Sequence, residues 1–341
     1  MDHRLQACLN QAIGKRSSLF ASSRTLSGSH REEAFRLFNG FYEGFPDLVL
    51  DVYARTLVVH DYSEDPDPSL AAEIIDYLRT QTDTQLPPLE WLNAAILKTR
   101  NGKTQAEKCG SLIFGGQPDR KIREHGVWYA IDLTMGRDAS FYLDTSNLRK
   151  WLLENSRGKS VLNTFAYTGS LGVAATAGGA AHVLQTDLNR NSLNLAKDSY
   201  SLNGFPIHRQ DFFAQDFFPA VAHFKSGGQA FDCVIIDPPF FSATPRGKVD
   251  QENESERIIN KVRPLINDKG ILIAINNAVF LSGADYMKSL EKLCKDGYLH
   301  LRELIPVPDD FIGYEPVSKP ITDPAPFNHS TKIAILDVRR K

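Results

Sequence analysis

Residues 160–172 read Ser-Val-Leu-Asn-Thr-Phe-Ala-Tyr-Thr-Gly-Ser-Leu-Gly. The run starts apolar, breaks between Asn163 and Gly169, and resumes with the small-residue pattern Leu171, Val173, Ala174, Ala175, which predicts strand, tight turn and helix in succession. Such a turn gathers orphan backbone N–H groups and a helix N-terminus at one point, a place that anionic or zwitterionic ligands favour. A second short strand, predicted over 182–186, runs into the carboxylate Asp187 about 24 residues beyond Asn163, near the spacing of about 20 at which a nucleotide-fold acid holds a ribose diol. The first turn lacks Gly-x-Gly-x-x-Gly, so a single nucleoside is favoured over a dinucleotide, although a strand-turn-helix unit by itself is common.

From residue 160 onward the pattern alternates strand and helix, with strands predicted at 160–163, 182–186, 207–210, 233–236 and 271–275. Alternation of this kind gives an α/β domain with a mostly parallel sheet and helices on both faces. Residues 299–305 and 332–336 predict a closing, hairpin-like pair, which makes the last strand antiparallel. The proline-rich stretch between them, 306–331, is long enough for a lid or substrate loop. The preceding 141–155 reads as the approach to a helix, with Asp144, Thr145 or Ser146 as cap and Leu148, Trp151 and Leu152 on one face.

At 341 residues the chain exceeds the roughly 250–300 at which one core divides. We place a smaller α+β domain at 1–135 and the main domain at 136–341. The smaller one opens with a helix marked by Leu5, Cys8, Leu9 and Ala12. It continues with three strands in a meander between residues 34 and 62, a helix at 70–78, and strands at 91–99 and 127–133. The Ser/Arg-rich segment 15–31 could pass for a targeting peptide, but the helical spacing before it favours a mature N-terminus. We find no internal repeat.

Net charge is −2, so bulk charge gives no sign of a nucleic-acid partner, though a local basic face is compatible with it. Cys8, Cys109, Cys233 and Cys294 are scattered and form no disulfide framework or metal cluster. No apolar run approaches the roughly 18 residues of a membrane helix. The expectations are a cytoplasmic protein, no membrane, no metal, and a homodimer left open.

Ligands of an open parallel sheet sit at the carboxyl ends of its strands. At the third such end stands Gln210-Asp211-Phe212-Phe213, where the acid can accept from an adenine amino group and Phe212 can cover the ring; Asp211 as a cap and Phe212 as core is an equal reading. The fourth end is more specific: Phe231-Asp-Cys-Val-Ile-Ile-Asp237-Pro238-Pro239-Phe240-Phe241. Prolines without N–H leave carbonyls fixed in direction and free to accept, Asp237 adds another acceptor, and Phe240 or Phe241 offers a face to a planar base. That set suits a heteroaromatic amine.

Together these residues resemble the class I S-adenosylmethionine-dependent methyltransferases, in particular the ribosomal large-subunit RNA methyltransferase I/K family. The likeness extends to Arg36-Leu-Phe-Asn-Gly-Phe-Tyr-Glu-Gly-Phe-Pro-Asp-Leu in the smaller domain and to Phe141-Tyr142-Leu-Asp144. The resemblance implies a Rossmann-like methyltransferase sheet and S-adenosylmethionine as cofactor. Asn163, Phe165, Tyr167, Thr168 and Gly169 would line the methionine moiety, Asp187 with Leu188 the ribose, and Asp211 with Phe212 the adenine. Phe141 and Tyr142 would belong to the cofactor site, and Asp237, Pro238, Pro239 and Phe240 would face the methyl acceptor.

Three departures qualify it. The chain begins almost at the family's central domain, without the N-terminal RNA-binding module of the cytosine-modifying branch. Ser146 stands where the family has arginine, which leaves Arg149 as the nearer cation. Cytosine C5 methylation needs a thiolate nucleophile, and where the family places that cysteine this chain has Ile275-Asn276-Asn277. The asparagine pair resembles instead the branch that methylates guanine at N7, with Asn276 or Asn277 holding the base; strand-end capping explains the pair equally well. Phe241, Phe311, Tyr314, Phe327, Asn328, His329 and Lys332 are further candidates for substrate contact. The expected function is methyl transfer to a base nitrogen of ribosomal RNA, the alternatives being a small-molecule methyltransferase and a non-catalytic RNA-binding or assembly factor.

Overall fold

The computed structural model describes residues 1–21, 32–80, 89–314, 327 and 329–340. Its contacts divide the chain into two units. The first comprises Met1–Leu143 with Pro308–Ile321, and the second Asp144–Val307 with Thr322–Lys341. The division falls at 143/144 where the sequence suggested 135/136, because the Tyr53 hydroxyl donates to the Phe141 carbonyl at 3.0 Å. The short helix Asp309–Ile312 returns to the first unit, where Asn39 Nδ2 donates to the carbonyls of Phe311 and Ile312 at 3.0 and 3.1 Å.

The first unit holds a five-stranded sheet in sequence order: β1 (Ala34–Asn39), β2 (Leu48–Tyr53), β3 (Thr56–Asp61), β4 (Ala94–Thr99) and β5 (Ser111–Gly115). The β3–β4 pair is parallel and the others antiparallel. Helices His3–Lys15 and Pro68–Thr80 bury Leu5, Leu9, Ile74 and Leu78 against Leu50, Val52, Leu57 and Val59 of the sheet. A separate hairpin, β6 (Lys121–Glu124) and β7 (Val127–Ala130), shortens the single strand expected at 127–133.

Strands of the second unit are β8 (Ser160–Thr164), β9 (His182–Asp187), β10 (Phe212–Ala214), β11 (Phe231–Ile236), the hairpin β12 (Phe241–Thr244) and β13 (Gly247–Asp250), β14 (Ile266–Asn276), β15 (Leu299–Ile305) and β16 (Lys332–Val338). Seven of them form one sheet in the order β10-β9-β8-β11-β14-β16-β15, and only β16 runs against the rest. This is the mostly parallel sheet with an antiparallel last strand that the pattern predicted. Alternation along the strands produces two cores. Leu162, Leu184, Val234, Ile236, Leu272 and Leu336 face helices Phe217–Ser226, Ser255–Val262 and Gly283–Cys294. Val161, Val183, Cys233, Ile235, Ile273 and Ile335 face helices Ser146–Asn155 and Ser170–Ala177. The chain order reverses at β8, so its carboxyl end is the switch point at which such sheets take ligands.

One predicted strand is misplaced. Residues 207–210 are not β-structure: Arg209–Asp211 forms a short 3-10 turn, and β10 begins only at Phe212. The β12–β13 hairpin had no counterpart in the sequence reading. No described helix is long and apolar enough to cross a membrane.

Candidate active site

The turn after β8 is built by its own unusual backbone. Phe165 and Tyr167 both take left-handed conformations, with φ of 54° and 51°, each of which costs an L-residue roughly 1 kcal/mol or more. Gly169 follows at φ 75° and caps helix Ser170–Ala177, a conformation that glycine adopts freely. The strain has a visible return, since the Tyr167 N–H donates to Asp187 Oδ2 at 2.8 Å and the Phe165 ring stacks on Phe217 with centroids 4.6 Å apart.

Asp187 also accepts from the Asn189 N–H through Oδ1 at 2.8 Å. Two of the roughly four acceptor positions of its carboxylate thus remain for a ligand. Burial pushes its pKa upward against those two donors. Leu188 beside it is exposed. Asn163 lies one step back inside β8 and is buried, its Nδ2 donating to Gln185 Oε1 at 3.3 Å while its own Oδ1 has no hydrogen-bond partner. Gln185 in turn supports the turn from below: a Cβ at Gly172 would come within 2.4 Å of its Oε1, and one at Gly169 within 2.6 Å. Thr168 is buried in the same turn.

The third strand end corrects the sequence reading. Asp211 precedes β10, and its Oδ1 pairs with Nε2 of His182 at 2.9 Å, at the start of β9, the opposite end from Asp187. Phe212 is core, buried edge-on against Tyr200. What stands at the carboxyl end of β10 is a second copy of the same four residues, Gln215-Asp216-Phe217-Phe218. The Gln215 N–H donates to the Asp187 carbonyl at 2.9 Å, which fixes this copy beside Asp187. Half-buried Asp216 caps helix Phe217–Ser226 by accepting from the Phe218 N–H at 3.0 Å, and Phe217 is the ring stacked on Phe165. The short tandem was present in the sequence, and counting forward from the true start of the strand would have selected its second member.

Asp237 follows β11 directly. Ile236 pairs with Thr164 of β8 on one side and Ala274 of β14 on the other, so Asp237 emerges beside the 165–169 turn. Burial, and then the charge of Asp144, push its pKa up to about 7. Asp144 is held by Thr331, whose Oγ1 donates to its Oδ2 at 2.8 Å.

The Pro238 carbonyl is not free: Gln251 donates to it through Nε2, which also reaches Asn277 Oδ1 at 3.1 Å. Gln251 is returned beneath the turn by the β12–β13 hairpin, and its N–H donates to the Phe240 carbonyl at 3.1 Å. Pro239, Phe240 and Phe241 are exposed, and the Phe240 ring meets Phe280 with centroids 6.4 Å apart. Phe241 lies on the hairpin beneath the Lys248 ammonium, 5.4 Å from its ring centre.

Several other candidates prove structural. Asn276 is buried with both amide ends committed, Nδ2 to the Gln251 carbonyl at 3.0 Å and Oδ1 from the Ala278 N–H at 2.9 Å. It is the strand-end cap; Asn277 alone remains part-exposed. Lys332 is buried and donates to the Ala278 carbonyl at 3.0 Å and to that of Ser330. Phe327 packs in the core against Tyr286. Arg149 is fully buried and donates to Thr145 Oγ1 at 2.7 Å, so it cannot act as a surface cation for a ligand.

His329 accepts from the Thr331 N–H through Nδ1 at 3.2 Å. Asn328 lies outside the described residues. In the first unit Phe141 is buried against Tyr129, Tyr142 is exposed with its hydroxyl 3.4 Å from Asp138 Oδ2, and Arg36 and Arg16 cover the rings of Phe311 and Tyr314. Cys233 is buried in β11 with its thiol pushed up to about 12, and burial also raises Cys294. Neither is a poised nucleophile.

A sheet of this order, with Asp187, Asp216 and Asp237 at the carboxyl ends of β9, β10 and β11, has the architecture of the nucleoside-binding α/β folds. The sequence profile of the S-adenosylmethionine-dependent methyltransferase family matches residues 36–320, and the chain belongs to that family. It is 32% identical over 211 residues to ribosomal RNA large subunit methyltransferase I of Aeromonas salmonicida, covering 61% of this chain and 52% of that one. It is 30% identical over 261 residues to methyltransferase K/L of Colwellia psychrerythraea, covering 73% of this chain and 34% of that one. The chain thus spans about a third to a half of the length of these relatives. Among solved structures, SMU.776 complexed with SAH superposes with a TM-score of 0.81 at 22% identity, over 99% of this chain and 83% of that one.

Proposed function

We propose that the chain binds S-adenosylmethionine at the carboxyl end of β8 and transfers its methyl group to a base nitrogen of large-subunit ribosomal RNA, without a cysteine nucleophile. The carrying observation is the placement of Asp237 at the switch point of the sheet, beside the 165–169 turn and directly before Pro-Pro-Phe with an exposed ring. The names of the two relatives supply the substrate class.

The residues present fit the cofactor. The 165–169 turn and the start of helix Ser170–Ala177 suit the methionine zwitterion, and the two open lone pairs of Asp187 suit the ribose diol. Half-buried Asp216, set beside Asp187, takes the adenine-facing role expected of Asp211, while Phe217 is core as Phe212 is. When bound, S-adenosylmethionine supplies an electrophilic methyl group on a sulfonium, so the protein's task is alignment and removal of a proton.

Asp237 then accepts an N–H from the acceptor nitrogen, holds its lone pair toward where the methyl group would lie, and takes the proton; the new C–N bond would form as the methyl–sulfur bond breaks, its electron pair leaving with a neutral thioether. Phe240 stacks on the base, which must leave its helix to arrive there. Because Asn276 is committed to the fold, the acceptor base is recognised chiefly through Asp237 and the Asn277 amide. An acceptor nitrogen that carries hydrogen fits this arrangement better than ring N7. A cytoplasmic location is compatible with an RNA substrate, and a homodimer with the fold.

The test is transfer of labelled methyl from S-adenosylmethionine to large-subunit RNA, with cofactor binding followed by calorimetry. Wild type should label the RNA, and Asp237→Ala should bind cofactor with unchanged affinity while losing at least about a hundredfold in rate. Turnover retained in Asp237→Ala removes the residue from the mechanism, and labelling of small amines but not RNA moves the substrate class.

A further inference from the structure

Just past β14 stand the two most exposed large apolar side chains among the described residues, Val279 at 71% and Phe280 at 78%. A loose loop would explain such exposure, but this turn is tightly held. Asn276 accepts the Ala278 N–H, Lys332 donates to the Ala278 carbonyl, and both anchoring side chains are fully buried. On the far side Ser282 caps helix Gly283–Cys294 by accepting from the Asp285 N–H. A buried lysine and a buried asparagine spent on one turn fix the direction in which its tip points. That tip meets the ring of Phe240 at an interplanar angle of 65°.

The angle decides what these two rings can do together. A single base clamped between two aromatic faces needs them parallel and about 7 Å apart, twice the stacking distance. Rings 6.4 Å apart and inclined at 65° cannot form that clamp, yet both side chains are exposed to solvent and so reachable by separate planar partners. Two adjacent bases whose planes differ by a large angle are what a strand offers when one base is turned out of its stack and the next is not. The hairpin that starts immediately after Phe240 carries exposed Arg246 at its turn, a cation suited to the intervening phosphates, and Lys248 over Phe241, whose ammonium is paired with Asp250 at 2.9 Å.

We propose that Phe280 is a second stacking position, which holds the base adjoining the acceptor in an unpaired RNA strand while Phe240 holds the acceptor itself. The assignment rests on the RNA reading above, and it makes Val279-Phe280 a positioning element that sets the strand's path. It predicts that the enzyme distinguishes an unpaired neighbour from a paired one.

The experiment uses the full chain with S-adenosylmethionine and large-subunit RNA, comparing wild type with Phe280→Ala and Phe280→Trp. Phe280→Ala should raise KM for RNA about five- to a hundredfold, the range of one lost base stack, with cofactor affinity unchanged. Phe280→Trp should restore KM, and its indole fluorescence should be quenched by RNA. Wild-type KM in Phe280→Ala, with RNA labelled normally, overturns the proposal and leaves the RNA reading standing. No labelling of RNA by wild type, together with unquenched Phe280→Trp, overturns both. A native mass that halves in Phe280→Ala overturns the proposal by assigning the patch to a second copy of this chain.

Discussion

Asp237 illustrates how one side chain links chemistry to stability. As a base it must be ionised, so the rate of methyl transfer should rise about tenfold per pH unit below about 7 and level off above it. Asp144→Asn removes the charge that adds to burial in raising that pKa, so the break in the profile should move to lower pH. The same group costs the fold stability. A carboxyl whose pKa is higher folded than unfolded keeps its proton in the native state while the unfolded chain has lost it, so stability falls as pH rises from about 4 to about 7. Asp237→Asn should therefore unfold at a higher temperature than wild type at pH 8 and show little difference at pH 4, which differential scanning at the two pH values measures. The two members of the tandem separate as cleanly. Asp216→Ala should weaken S-adenosylmethionine binding severalfold in calorimetry, whereas Asp211→Ala, which loses only His182, should leave it unchanged.

At the scale of elements, the sheet was legible because buried parallel strands write themselves as apolar runs, and the acid that ends β9 and the one that follows β11 mark where those runs stop. The third strand was not, because β10 is only Phe212–Ala214 and its first apolar residues adjoin polar ones. The hairpin β12–β13 was hidden for a different reason: it has no strong turn pair and little burial, and its purpose lies in returning Gln251 under Pro238. Nor does sequence reveal that Asn276 and Lys332 serve the backbone, since the same letters would be written for substrate contacts. The turn after β8 can be tested as a unit with Gln185. Gly172→Ala drives a Cβ into the Gln185 amide and should cost about 1–3 kcal/mol in denaturant unfolding, the range of an overpacked core; adding Gln185→Ala should recover part of that loss.

For the whole molecule, a net charge of −2 sets an expectation about how RNA is held. Without a broad positive field, affinity must come from a few local cations and from stacked rings. The slope of log affinity against log salt should then be shallow, equivalent to about two or three neutralised phosphates, as a filter-binding series between 50 and 200 mM salt would measure. A steep slope would point to cations acting in concert far beyond the 241–250 hairpin. The division into two units was anticipated from length, but its position was not, since Phe141 is tied to Tyr53 by a backbone carbonyl that no sequence pattern announces.

The repeated Gln-Asp-Phe-Phe has a consequence for tracing ancestry. Two identical four-letter words separated by a single residue invite any residue-by-residue comparison to slip by five positions, scoring full marks while exchanging a carboxylate at the mouth of the sheet for one at its base. Insertions and deletions inferred around this region in sister genes inherit that ambiguity. Hydrogen-bonded neighbours do not, because Ala214 can stand opposite Asp187 in only one way.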